Sequence, residues 1–256
     1  SRSIGRRWSA FVPEAPAAAR LSLNTATVKV QWSLAQAIAG CARHGIRGIA
    51  PWRDKLAEMG VKQAASAIKT HGLTVTGLCR GGFFTARDWK DDNLRAIDEA
   101  HALGAQCLVL VVGGLQPGSK DLASARERVK EGIAAILPEA RQAGVPLAIE
   151  PLHPMQAADR ACINTLEQAL DLCDALGDGL GVAVDAYHVW WDPKLERQIR
   201  RAGKQRLLAY HICDWLVPTR DLLNDRGMMG DGVIDLPQIR GWMEAADAAG
   251  CAEELL

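Results

Sequence analysis

Three apolar runs of this chain each end in a residue that can ligate a metal ion: Leu147-Ala148-Ile149-Glu150, Val182-Ala183-Val184-Asp185 and Leu208-Ala209-Tyr210-His211. Two carboxylates and one imidazole form a donor set suited to Mn²⁺, Mg²⁺, Co²⁺ or Zn²⁺. The chemistry such a set serves is metal-assisted catalysis. Each residue also has a plainer role open to it. Glu150 could be a salt-bridged glutamate at a barrel rim, Asp185 the cap of the next helix, and His211 a hydrogen-bonded core histidine. Asp192-Pro193 offers a helix cap of its own, which leaves Asp185 free for other work.

Other residues with chemical potential lie close by in sequence. His188, three residues after Asp185, could be a ligand or a donor to substrate or to a metal carboxylate, and Asp214 could orient an imidazole. His153 follows Glu150 in Glu150-Pro151-Leu152-His153-Pro154. His44 and His71 precede glycines that look like helix stops, where a histidine suits the helix dipole, and His101 reads as a surface residue. The segments Cys79–Phe84, Gly113–Leu115 and Gly227–Gly232 are rich in glycine or aromatics, which turn geometry alone could explain. A functional reading makes Trp52, Phe83, Phe84, Trp190 and Trp191 walls around a small polyol. Arg53, Arg80 and Arg220 would then be anion or hydroxyl contacts.

The elements that must position these residues alternate from Leu21 onward. Strands are predicted over Leu21–Thr27, Arg47–Pro51, Leu73–Leu78, Gln106–Val112, Pro146–Glu150, Leu180–Asp185 and Leu207–Ile212, mostly short and continuously apolar, as in a sheet covered on both faces. Helical patterns lie between them. Ser33 with Gln36, and Asn164 with Glu167, read as capping boxes, and Asp235-Leu236-Pro237 opens the last helix. Leu122 through Ala140 forms one long stripe, with Pro138 a candidate kink. Strict βα alternation implies a parallel sheet with right-handed crossovers. A doubly wound sheet would carry a glycine-rich turn after its first strand, whereas Val28-Lys29-Val30-Gln31 has none. The expectation is a (β/α)8 TIM barrel, in which every strand end opens into one mouth. Only seven strands are clear; the eighth should follow Gly250, so it is expected as a truncated stub that leaves a gap beside Leu21–Thr27.

The totals agree with one barrel. The chain has 256 residues, 48% of them apolar, with 30 basic and 30 acidic side chains. Residues 1–20 read as an N-terminal arm or tail and 21–256 as a single domain. The balanced charge gives no support to a nucleic-acid or membrane-surface partner. The longest apolar run, Cys107–Val112, is far too short to span a bilayer. Seven scattered cysteines without Cys-x-x-Cys spacing suit a reducing cytoplasm. The expected partner is a small sugar or polyol, with a homo-oligomer left open.

From Leu21 to about Gly250 the sequence resembles the xylose-isomerase-like TIM-barrel superfamily of sugar (phosphate) isomerases and epimerases, which includes the AP-endonuclease-2-like family. The resemblance rests on Ala148–Pro154, on Val184-Asp185-Ala186-Tyr187-His188, and on His211-Ile212-Cys213-Asp214 followed by Gly230-Asp231-Gly232. It implies a metal held by Glu150, Asp185 and His211 from the fifth, sixth and seventh strands, with His188 against substrate. A glutamate of the eighth strand completes the family's ligand set and acts as an acid/base; Glu253 or Glu254 could stand in here, with Glu253 taken as the ligand, although both fall early. The family's arginine six residues after the strand-7 histidine is replaced by Val217, which leaves Arg220 as the nearest substitute.

The implied reaction is proton transfer beside a carbonyl, with Glu150 as ligand and base and the metal stabilising an enediolate. The expected activity is therefore that of a divalent-metal-dependent isomerase or epimerase of a sugar or keto-polyol. Dehydration of a keto-cyclitol on the same site is the main alternative. A binding barrel that has lost turnover is a third reading. An endonuclease-IV-like repair enzyme is a fourth, disfavoured by Cys79-Arg80 and Val112-Gly113 where further ligands would be needed.

Overall fold

In the computed structural model of the protein, residues 18–246 and 253–255 are described. The strands are β1 (Leu21–Asn24), β2 (Gly48–Ala50), β3 (Thr74–Val75), β4 (Leu78–Gly82), β5 (Leu108–Val111), β6 (Leu147–Ile149), β7 (Leu180–Asp185), β8 (Leu207–Ile212), β9 (Asp214–Trp215), β10 (Arg226–Gly227) and β11 (Glu253–Leu255). The helices are α1 (Leu34–Arg43), α2 (Arg53–Met59), α3 (Val61–Thr70), α4 (Trp89–Leu103), α5 (Leu122–Ala143), α6 (Leu166–Leu176), α7 (Ala186–Val189), α8 (Leu195–Arg206) and α9 (Leu236–Ala245). The main sheet runs β3-β2-β1-β11-β8-β7-β6-β5-β4, and all its pairings are parallel.

The two ends of that order, β3 and β4, are halves of one barrel strand interrupted only at Thr76 and Gly77. The Cys79 N–H donates to Pro51 O at 3.0 Å, and Trp52 bridges Cys79 in parallel, so β4 continues alongside the end of β2. The parallel ring thus follows the α/β-barrel plan. The eighth strand corrects the expectation of a gap. β11 pairs Glu253, Glu254 and Leu255 with Leu21, Ser22 and Leu23 on one side and with Tyr210, His211 and Ile212 on the other. Three extended residues suffice because β1, which they must match, is itself only four residues long.

Two layers of packing hold the ring. The larger core lies between strands and helices and includes Ile38, Leu108, Leu110, Ile133, Ile136, Leu147 and Ile149, all fully buried. The lumen is filled by small side chains: Cys79, Cys107, Val109, Ala148, Ala183 and Ala209. Strand side chains alternate between faces with period two. Each lumen alanine of β6, β7 and β8 therefore shares its face with the residue two positions on, namely Glu150, Asp185 and His211.

Local signals shape the helix ends. Ser33 and Gln36 form the expected capping box on α1, and Asp235 caps α9 by accepting from the Gln238 N–H. The cap of α6 is Thr165 rather than Asn164; Thr165 Oγ1 accepts from the Gln168 N–H, while Asn164 Nδ2 donates to Leu152 O and Ala161 O. Helix α5 continues through Pro138 as one element. Among the described residues no helix is long and apolar enough to cross a membrane.

Candidate active site and metal centre

Glu150, Asp185 and His211 converge. Each is buried, and each offers a ligand atom within 4.8 Å of those of the other two. Nδ1 of His211 and Oε1 of Glu150 are 2.7 Å apart, joined by a hydrogen bond from the ring N–H. Asp185 and His211 are paired in register across β7 and β8. Hard carboxylate oxygens beside an imidazole, all drawn from adjacent strand ends, fit a divalent cation.

Asp185 is more heavily committed than its sequence suggests. Its Oδ1 accepts the Tyr187 N–H at 2.8 Å and so caps the short helix α7. The expected division of labour, with Asp192 relieving Asp185 of capping, does not hold. Asp192 instead accepts from the Lys194 N–H in the turn before α8. The other oxygen, Oδ2, receives Nη1 of Arg226 at 3.2 Å. Burial opposes the charge on Asp185, but His188 and Arg226 hold its carboxyl below the usual range.

His188 lines the same cavity and is buried on α7. The His153 N–H donates to its Nδ1 at 3.2 Å. The Nε2 of His188 lies 3.6 Å from Asp185 Oδ2 and 3.1 Å from Nη2 of Arg226. Burial pushes the imidazole down to about 4 against the pull of Asp185, so the ring is neutral near pH 7.

Arg226 is a site residue that sequence reasoning missed, as is Arg160. Beyond Asp185 and His188, the Arg226 guanidinium stacks over the Tyr187 ring at 4.3 Å and reaches Cys213 Sγ at 3.6 Å. Burial opposes its charge, but Asp185, Cys213 and Glu150 together outweigh that and raise its pKa. The signal that could have found it is the glycine-rich segment it opens, Arg226-Gly227-Met228-Met229-Gly230. Arg220, the expected substitute, is turned outward and paired with Asp225, its side chain 78% exposed.

The other expected residues fall in different places. Trp52 lines the mouth, its indole N–H donating to Asn24 Oδ1 at 2.7 Å. His153 packs edge-on against Trp191 and tilted against Trp215, and touches the site through its backbone bond to His188. Phe83 carries the Arg80 guanidinium on its ring at 4.0 Å. Asp214 orients no imidazole through the contacts it makes here: its oxygens accept the N–H groups of Trp215, Gly230 and Ile234, which organises the loop beyond β8. The Glu253 side chain lies outside the described residues; its backbone pairs with Tyr210, and Glu254 pairs with His211.

Two joined spaces make up the mouth. The inner one, about 50 Å³, is bounded by the three candidate ligands, His188 and Arg226. The outer one, about 460 Å³, shares Trp52, Arg160, Leu223 and Arg226 with it and extends to Lys29 and Met228. That outer volume suits a small organic ligand.

Residues 38–253 match the family described as the xylose isomerase-like TIM barrel. The chain belongs to that family. A solved structure of protein SMc04130 from Sinorhizobium meliloti 1021 is 60% identical with a TM-score of 0.91, the match covering 94% of this chain and 90% of that one. An inosose isomerase of Bacillus velezensis is 27% identical over 240 residues, 85% of this chain and 81% of the relative. The zinc-bound crystal structure of IOLI protein, 22% identical and covering 92% of this chain and 87% of its own, shares the fold at a TM-score of 0.71.

Proposed function

We propose that this family member is a divalent-metal-dependent isomerase or epimerase of a keto-polyol or inosose-type keto-cyclitol. The observation that carries the reading is the convergence of Glu150, Asp185 and His211 at one buried point, with a neutral His188 and a charged Arg226 beside it. The inosose isomerase relative and the zinc in the IOLI structure support the substrate class and the metal.

When bound, a divalent ion would polarise a carbonyl and its neighbouring hydroxyl, making the adjacent C–H more acidic. Glu150 takes the proton from that carbon, at the carboxylate oxygen not held by His211. His188, which lines the inner cavity, hydrogen-bonds a substrate oxygen. Arg226 balances the charge of Asp185 and keeps it from drifting as substrate enters. Trp52 closes one wall of the mouth and excludes water. Return of the proton falls to β11, where Glu253 is the sequence candidate and Glu254 is the residue paired with His211.

The test is solvent exchange. The chelator-treated protein, resupplied with Mn²⁺, Co²⁺, Zn²⁺ or Mg²⁺, is incubated in D2O with a panel of ketoses and inososes and followed by NMR. Metal-dependent deuteration beside the carbonyl, lost in Glu150→Gln, is expected. A protein that retains no metal by elemental analysis and exchanges no proton would overturn the reading. The same spectra report any dehydration product.

A further inference from the structure

Three guanidiniums, those of Arg80, Arg160 and Arg226, line the inner cavity against only two carboxylates among the described residues, Glu150 and Asp185. Arg226 is accounted for by Asp185. Arg80 and Arg160 are not. The Nε of each is buried without a hydrogen-bond partner, and neither side chain has an ion pair among the described residues. This differs from the arginines around them: Arg53 is held by Glu99 and Asp92, and Arg220 by Asp225.

The two unpaired groups line the same inner cavity. Burial and the like charge of Arg160 push the Arg80 guanidinium down from its ordinary value. Arg80 rests one face on the Phe83 ring, which leaves its edge donors for something else. It projects from β4, on the far side of the ring from β8, and Arg160 follows the loop after β6. Arg160 stands where the inner cavity opens into the outer one, and Lys29 adds a further positive charge farther out. Guanidinium nitrogens buried in a fold are ordinarily paired, and a pair of arginines matches the geometry of a carboxylate or phosphate.

We propose that Arg80 and Arg160 form an oxyanion subsite in the mouth beside the carboxylate cluster, so that the physiological substrate is a polyol carrying a carboxylate or phosphate. The inference deepens the isomerase or epimerase reading and rests on it for the word substrate; the binding itself does not require turnover. A divalent ion at Glu150, Asp185 and His211 would make the mouth more positive still, and an anionic end group would balance it.

The experiment uses unreactive probes matched in their polyol backbone: sorbitol, gluconate and sorbitol 6-phosphate. Each is titrated calorimetrically into the full chain, metal-free and Mn²⁺-loaded. Gluconate or sorbitol 6-phosphate should bind at least tenfold more tightly than sorbitol, and whichever binds tighter identifies the anion. The preference should weaken as salt rises, because the attraction is electrostatic. It should fall about tenfold or more in Arg80→Gln and, independently, in Arg160→Gln, and stay unchanged in Arg200→Gln, which lies on the exposed face of α8. The two active variants are separate probes, so a folding defect in one, seen as a lowered melting temperature, leaves the other to decide. Equal affinity for sorbitol and both anions, or an anion preference that survives in a folded Arg80→Gln or Arg160→Gln protein, would overturn the subsite. The preference should persist in metal-free Glu150→Gln. Anion binding there without proton exchange in the wild type would sink the isomerase reading and keep the subsite; exchange without anion preference would do the reverse.

Discussion

Arg226 touches Asp185, His188, Tyr187 and Cys213 at once. Removing a group that orients a metal ligand typically costs 10- to 100-fold in metal affinity or activity. Arg226→Gln should therefore lower Mn²⁺ affinity by that order in a calorimetric titration, whereas Arg220→Gln should leave it within about twofold. His188 gives a second prediction at this scale. Its folded value of about 4 lies below the ordinary 6.5. Between those values the unfolded chain binds a proton that the folded chain refuses. Stability of the metal-free protein should thus rise with pH across about 4 to 6.5, by at most about 3 kcal/mol, and be complete above that window. His188→Gln should flatten the slope in urea melts run from pH 4 to 7; an unchanged slope would assign it to other groups. Glu150, Asp185 and His211 could be read from sequence because each ends an apolar run. Arg226 was harder to read: it reaches Asp185 from β10, far along the chain, and its sequence signal is the glycine-rich segment it opens rather than an apolar run.

The end of β4 depends on a helix for its shape. Asn93, fully buried on α4, accepts the Gly82 N–H and donates to Gly82 O and Trp89 O, each at 2.7 Å. A side chain at Gly82, where φ is +104°, would run into the Val111 carbonyl. These contacts explain why Cys79-Arg80-Gly81-Gly82 is strand, although the glycines read as a loop in sequence. Asn93→Ala should strand the Gly82 groups at about 1–3 kcal/mol for each one left unpaired. The melting temperature should drop by several degrees. Metal content should survive, because β6 to β8 do not depend on that brace. Loss of metal with no change in melting would place Asn93 in the site rather than under it. The first strand shows the opposite limit. It was expected to run to Thr27 but ends at Asn24, whose side chain accepts the Ala26 N–H and starts a 3-10 turn. The strand reading of Leu21–Thr27 passes over Asn24, a residue type that makes such competing local hydrogen bonds.

Across the whole molecule, burial decides what the scattered cysteines do. The six described ones are all buried, and burial raises Cys41 and Cys173 to about 11 and Cys213 to about 12. A thiol reagent at pH 8 should find at most Cys251, which lies outside the described residues, until the protein is unfolded. Closure of the ring was harder to foresee than its content. The alternation of elements fixed seven staves, but nothing in Glu253-Glu254-Leu255 is apolar enough to announce a strand. Its identity comes from its neighbours: β1 and β8 each present three residues of unpaired backbone, and β11 satisfies both at once. A chain ended at Gly250 should expose those two edges and lose cooperative packing of β1 against β8. We expect it to melt more than about 10 °C lower, since several kcal/mol of pairing and packing go with the strand, and to aggregate on concentration. Glu253→Gln and Glu254→Gln separate that role from ligation. Both should melt with the wild type, and the one whose carboxylate serves the metal should show weaker Mn²⁺ binding. A chain ended at Gly250 that melted with the intact protein would mean that β1 and β8 need no partner between them.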